Sequence, residues 1–152
     1  MKILVTGGNG QLGSELRYLS LFYNQFQWIF TDINELDLSD LENLESNISK
    51  IAPSLIINCA AYTSVDKAEY ENELANNLNF KAVDIISKWS SNNSKKLIHI
   101  STDYVFDGNS DIPLKEDALT SPINFYGHTK LEGERICLKN DINSIIIRTS
   151  WV

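Results

Sequence analysis

One segment, Gly7-Gly-Asn-Gly-Gln-Leu-Gly13, limits what this chain can fold into more than any other. It follows directly on Lys2-Ile-Leu-Val-Thr6, which reads as a short buried strand, and it runs into Ser-Glu-Leu-Arg-Tyr-Leu in helical register. Glycines permit the tight turn, the close approach of backbone to a diphosphate, and close packing of helix on strand. The unpaired N–H groups and positive dipole end of the new helix then face the phosphates. Gly7, Asn9, Gly10, Gln11, Leu12 and Gly13 are therefore candidates to hold a dinucleotide. A strand in front and a helix behind separate such a loop from a chance glycine triplet.

The rest of the chain alternates in the same way, with no internal repeat or low-complexity linker. Strands are expected near 2–6, 27–31, 55–59, 96–101 and 144–149, with a possible short one near 35–38. Helices are expected near 11–22, 40–51, 73–92 and 125–139. The strands are rich in Ile, Leu and Val without alternation, which suits a parallel sheet covered on both faces. Helices between them give right-handed crossovers, so the expectation is α/β: a doubly wound, Rossmann-like parallel sheet in three α/β/α layers. At 152 residues the chain reads as one dinucleotide-binding domain. Ligands of such sheets lie beyond the carboxyl ends of the strands, where functional residues should follow each strand.

They do. The second strand ends at Asp32, close to the roughly 20-residue offset at which an acid meets the adenosine ribose. That carboxylate would repel a 2′-phosphate by on the order of 4 kcal/mol at about 4 Å. Arg17, within the first helix, is the only Arg or Lys between Gly7 and Asp32, so the residues alone lean toward NADH. After the third long strand, Ala60 and Ala61 are small enough for a cofactor to lie against the backbone. After the fourth, Ser101 and Thr102 each offer a hydroxyl to a reacting carbonyl, and spacing does not choose between them. Tyr126-Gly-His-Thr-Lys130 then places a phenol and an ammonium one turn apart on one helix face. Lys⁺ there is expected to pull the Tyr pKa of about 10 toward working pH, as proton delivery to a ketone would need.

Charge and cysteine usage narrow the partners. A net charge of −7 argues against a nucleic-acid or anionic-membrane surface. The acids cluster in Asp32–Glu45, read here as the solvated face of a helix. No long apolar run is present, and Met1 leads straight into the first strand rather than a signal peptide. Cys59 and Cys137 are isolated, which suits a reduced, cytoplasmic protein. Neither they nor His99 and His128 have metal-ligand spacing, so no metal is expected.

The segments TGGNGQLG, CAAYTSVDKAE, HISTDYVFDG, FYGHTKLEGE and IIRTSWV together resemble the dTDP-4-dehydrorhamnose reductases, a family of extended short-chain dehydrogenase/reductases. The glycine loop and YxxxK mark the superfamily; TSVDKAE, STDYVFDG and RTSWV point to the rhamnose-pathway members. The resemblance implies reduction of the 4-ketone of dTDP-4-dehydro-6-deoxy-L-mannose to dTDP-L-rhamnose, with NADPH or NADH as hydride donor. It implies Tyr126 as proton donor, Lys130 as its modulator and anchor of the nicotinamide ribose, and Thr102 as hydrogen-bond donor to the carbonyl. Asn79 matches a helix asparagine that props the lysine through water. Asp37 and Leu38 resemble the pair that meets adenine, and Ala60, Ala61 and Tyr62 resemble cofactor contacts. Thr63, Val65, Asp66, Thr102, Tyr104, Phe106 and Trp151 resemble positions facing the dTDP-linked 4-keto-6-deoxyhexose. Glu15 matches a position that in some members joins a magnesium-linked homodimer, and no metal is claimed from it.

The chain stops at Val152 in the middle of the last segment. The expectation is a cofactor-binding portion with its triad, a missing substrate-binding part, and little turnover of its own. Two other readings share these motifs: an epimerase or dehydratase acting on a nucleotide sugar, which would keep NAD bound, and a non-catalytic cofactor-binding regulatory subunit.

Overall fold

The computed structural model describes residues 1–151. Five strands, β1 (Lys2–Thr6), β2 (Gln27–Thr31), β3 (Leu55–Asn58), β4 (Lys96–Thr102) and β5 (Ile145–Thr149), form one sheet in the order β2-β1-β3-β4-β5. Every neighbouring pair is parallel, with Lys2 opposite Gln27 toward one edge and Thr102 opposite Thr149 toward the other. Parallel neighbours need crossovers. These contain α1 (Gln11–Ser20), α2 (Leu44–Ile51), α3 (Val65–Ala68), α4 (Asn72–Asn76), α5 (Ala82–Asn92) and α6 (Phe125–Asn140). The doubly wound sheet expected from the sequence is present.

Side chains alternate across each strand, so one strand feeds two cores. Leu4, Ile56 and Leu97 point to one face, against Ile48 of α2, Ile86 of α5 and Cys137 of α6. Ile3, Val5 and Ile57 point to the other, where Leu16 of α1 covers them. Fully burying one such Ile or Leu contributes about 1.5–3 kcal/mol, which makes the first face the stronger anchor. A polar ladder crosses the sheet just below its carboxyl edge. Thr6 Oγ1 donates to Asn58 Oδ1 at 2.6 Å, and Asn58 Nδ2 donates to His99 Nδ1 at 3.0 Å. His99 is fully buried, and burial holds its pKa well below the usual value, with the Lys130 charge adding to this. It is a neutral core histidine.

Four expectations are corrected. Residues 35–38 do not form a strand: the Glu35 and Leu36 N–H groups both donate to Asp32 O, which curls the chain. The Asp37 carboxylate then accepts from Ser39 N and Oγ, while Leu36 and Leu38 plug into the core. The helix expected from residue 40 begins at Leu44, because Asp40 holds Asn43 in a turn through its Nδ2 at 3.0 and 3.1 Å. The acids of Asp32–Glu45 therefore sit mostly in turns, not on a helix. The helix expected over 73–92 is interrupted by a π-helical turn at Asn77–Lys81. Two short elements had no sequence signal: α3, and a 3₁₀ turn at Asp103–Val105. Among the described residues no helix is long and apolar enough to cross a membrane.

Candidate active site

The strand order reverses between β1 and β3, where a doubly wound sheet opens a crevice at its carboxyl edge. A cleft of about 1050 Å³ lies there. The glycine loop forms its floor. Gly7 takes the left-handed conformation at φ +65°, and a Cβ on it would stand 2.8 Å from Ala60 N across the crevice. A Cβ at Gly13 would collide with the Gly7 carbonyl oxygen, so the close helix–strand packing needs glycine there. The loop is stapled to the end of β2: Gly8 N–H donates to Thr31 O at 2.8 Å, and Asn9 N–H to Asp32 Oδ2 at 2.9 Å. Gly10 begins α1 in an extended conformation with no side-chain cap. The amino end of a ten-residue helix is thus left without a side-chain acceptor beside Gln11, Leu12 and Gly13, all of which line the cleft. An anion with two phosphates fits this cradle. Asp32, Asp37, Leu38, Ala60 and Ala61 continue the same wall.

The opposite wall comes from β4 and α6. Asn124 Oδ1 caps α6 by accepting from Gly127 N at 2.7 Å, and Glu69 Oε1 accepts from Phe125 N at 2.8 Å. These bonds fix the first turn, which carries Tyr126. Gly127 packs so closely on the Tyr104 carbonyl that a Cβ would collide with it. The Tyr104 and Tyr126 rings meet edge to face with centroids 5.6 Å apart. Thr102 Oγ1 accepts from Tyr104 N and donates to Asp103 Oδ1, both at 3.2 Å. Lys130, 3 % exposed, donates from Nζ to Ile100 O at 2.7 Å. Thr102, Tyr126 and Lys130 all line the cleft that the glycine loop floors.

The electrostatics differ from expectation. Burial raises the Tyr126 pKa above its ordinary value; a hydrogen bond with Thr102 opposes this, and Asp103 and Tyr104 add to it. The net shift of the phenol is therefore upward, not downward as the spacing predicts, while the Lys130 ammonium donates to Ile100 O. Burial lowers the Lys130 pKa to about 8, against the opposing pull of Glu134 and Cys59. Tyr126 is therefore a phenol that keeps its proton at neutral pH. Burial likewise pushes the Cys59 thiol up to about 11, so this residue lines the cleft as a neutral group.

Three residues expected at the site lie outside the cleft. The Asn79 side chain is committed elsewhere: its Oδ1 accepts from Tyr62 N at 2.9 Å, and its Nδ2 donates to Tyr62 O and Thr129 Oγ1. It acts as a strut between the loop after β3 and α6. Tyr62 turns its ring into a small core with Ala68, Ala75 and Tyr126, and its hydroxyl donates to Glu71 at 2.7 Å. Asp66 is exposed on α3 and does not line the cleft. Thr63, Val65, Tyr104, Phe106 and Trp151 do line the cleft, with Trp151 almost wholly exposed at its rim.

Sequence reasoning missed a buried ion pair behind Lys130. Glu134, one turn further along α6 and 3 % exposed, accepts from Arg148 Nε at 2.9 Å and Nη2 at 2.7 Å. The Arg148 guanidinium lies 5.1 Å from the centroid of the Phe106 ring. The i,i+4 spacing of Lys130 and Glu134 was the available signal; the cation that answers Glu134 was not. Glu15 lies exposed on α1. No group of three His, Cys, Asp or Glu side chains that could hold a metal ion occurs among the described residues.

Comparison with known proteins agrees with this geometry. A dTDP-4-dehydrorhamnose reductase of Salmonella typhimurium is 43 % identical over 157 residues, spanning 100 % of this chain and 52 % of its own length. Among solved structures, a dTDP-4-dehydrorhamnose reductase from Clostridium acetobutylicum superposes with a TM-score of 0.94 at 37 % identity, covering 99 % of this chain and 54 % of its own. A Bacillus anthracis dTDP-4-dehydrorhamnose reductase in complex with NADP gives 0.92 at 36 % identity, covering 99 % and 53 %. The chain spans about half the length of the curated relatives it matches. The family model of the RmlD substrate binding domain matches residues 1–152, and the chain belongs to that family.

Proposed function

We propose that residues 1–152 form one dinucleotide-binding unit of an NAD(P)H-dependent reductase. Its substrate in this reading is a dTDP-linked 4-keto-6-deoxyhexose, dTDP-4-dehydro-6-deoxy-L-mannose, which it converts to dTDP-L-rhamnose. One observation carries the reading: Thr102, Tyr126 and Lys130 line the same cleft that the Gly7–Gly13 loop floors. The names of the relatives support the substrate class, and the NADP bound to the Bacillus anthracis relative supports the cofactor. A net charge of −7 speaks against nucleic-acid or anionic-membrane partners, and two unpaired cysteines suit the cytoplasm.

When bound, a reduced nicotinamide supplies the hydride that adds to the ketone carbon. This chain's residues do the rest. The amino end of α1 neutralises the diphosphate, and Asp32 meets the adenosine ribose. Lys130 anchors the nicotinamide ribose through its ammonium. Thr102 turns its hydroxyl from Asp103 to the substrate oxygen and orients the carbonyl. Tyr126 gives its phenolic proton to that oxygen as negative charge builds on it, and regains a proton from solvent. A phenol held protonated by burial is ready for this step at neutral pH.

The test is NADPH oxidation in the presence of the 4-keto nucleotide sugar, with the alcohol product identified. Ketone-dependent oxidation with a dissociable cofactor is the expected result. A protein that keeps NAD bound and returns the hydride to its substrate would instead be an epimerase or dehydratase, and would sink the reductase reading.

A further inference from the structure

Lys130 and Glu134 stand one turn apart on α6, each 3 % exposed, a spacing at which opposite charges are within reach of one another. They do not pair: among the described residues no carboxylate lies within 4.0 Å of the Lys130 ammonium. Arg148 accounts for the separation. It stands opposite Ser101 in the β4–β5 register, next to Ile100, whose carbonyl accepts from Lys130 Nζ. From there its guanidinium grips both Glu134 oxygens, through Nε at 2.9 Å and Nη2 at 2.7 Å. Arg148 Nη1 donates to Glu116 O at 2.9 Å, and Cζ lies 5.1 Å from the Phe106 centroid, so the guanidinium is held from three sides. Glu134 is thereby turned toward β5, and Lys130 is left to Ile100 O and the cleft.

We propose that Arg148 is a positioning residue for the reaction: by occupying Glu134 it keeps the Lys130 ammonium from pairing along α6 and leaves it to meet the nicotinamide ribose. The inference rests on reading Lys130 as the anchor of that ribose. One turn from Glu134 on α6 stand Lys130, Leu131, Cys137 and Leu138, so Lys130 is the only cation among them. A buried carboxylate stripped of its guanidinium needs another cation. Glu134 already acts on Lys130 at a distance, favouring the charged form against burial. The other titratable groups around the ammonium are Cys59 after β3, His99 on β4 and Tyr126 on α6, with Asp103 acting on Tyr126 from the turn after β4. Burial pushes the Cys59 thiol and the Tyr126 phenol up and the His99 imidazole down, so all three are neutral where Lys130 titrates. The plainer role for the ion pair is a strut joining α6 to β5. A strut would set stability and leave the charge on the lysine alone.

The experiment follows the Lys130 ε-methylene resonance by NMR from neutral to alkaline pH in chains grown with isotope-labelled lysine. Its assignment comes from the signal lost in Lys130→Arg. Wild type is compared with Arg148→Met, Arg148→Lys and Glu134→Gln, each checked by a melting curve and titrated with NADPH. The wild-type midpoint should fall at about 8. In Arg148→Met it should rise by about one pH unit or more, as expected when an opposite charge closes on the amine. The same variant should bind NADPH roughly tenfold more weakly at neutral pH, because the ammonium has turned from the ribose. Arg148→Lys can make one of the two bonds to Glu134, so its midpoint should rise by less. It carries the test if Arg148→Met does not fold. Glu134→Gln keeps an acceptor for Arg148 without the charge, and its midpoint should fall below that of wild type. Midpoints that stay put in the arginine and glutamate variants, or move in the same direction, would overturn the inference whatever happens to the melting temperature. Such midpoints beside normal NADPH binding would overturn this inference alone, whereas wild-type protein that does not bind NADPH would overturn the reading of the cleft with it.

Discussion

Tyr126→Phe is expected to lower the rate of ketone reduction by roughly 10²–10⁴-fold, the range for loss of a positioned general acid. The substitution removes one oxygen and keeps the ring against Tyr104, whose centroid is 5.6 Å away. Affinity for NADPH should change little, because the glycine loop and α1 are untouched. Folding stability should change by no more than about 1 kcal/mol, because the ring and its packing are kept. The measurement is a pair: steady-state rate and cofactor titration on the same variant. A rate within a few-fold of wild type would mean that some other group delivers the proton.

Lys130→Met should separate stability from function. Burial lowers the Lys130 pKa from 10.5 to about 8, so the native state holds an ammonium it would rather discharge. At pH 7 that disfavours folding by on the order of 3 kcal/mol. The unfolded chain binds the proton up to a higher pH than the native chain does. Wild-type stability should therefore rise from about pH 8 toward 10.5, whereas below pH 8 this residue adds no pH dependence. Methionine fills similar space without the charge and gives up one bond to Ile100 O. The variant should unfold at a higher urea concentration at pH 7, lack the rise above pH 8, and bind NADPH weakly at every pH. Wild-type cofactor affinity should fall as pH passes about 8, opposite in direction to stability. A variant less stable than wild type at pH 7 would show that burial of the ammonium is compensated better than the geometry suggests.

Much of this was legible in the residues because local pattern and tertiary role agree. Lys2–Thr6, Gln27–Thr31 and Leu55–Asn58 are short apolar runs bounded by polar residues, and the structure places each within a residue of its expected limits. Glycine spacing located the loop because only glycine allows the contacts of Gly7 and Gly13. What escaped depends on partners far apart in sequence. Leu36 and Leu38 alternate like a strand, yet they anchor a turn whose carbonyl acceptor is Asp32. Asn79 carries a helical signal that does not disclose a π-turn, nor the side-chain bonds to Tyr62 and Thr129. The lysine's effect on the phenol was inferred from an i,i+4 spacing alone. Burial of the phenol is a tertiary fact, and it sends the net shift upward. Nothing in the local pattern of α6 marks Glu134 as buried, because the partner that meets it there, Arg148, comes from β5.

The most direct test is a backbone NMR titration of the isotope-labelled chain with NADPH. Shifts should concentrate on Gly7–Gly13, Asp32, Ala60, Ala61, Thr102, Tyr126 and Lys130, and saturate with a single dissociation constant. Saturable shifts confined to α2 and α5, or a loop at 7–13 that responds while Tyr126 and Lys130 do not, would contradict a single cleft joining the phosphate cradle to the phenol and the amine.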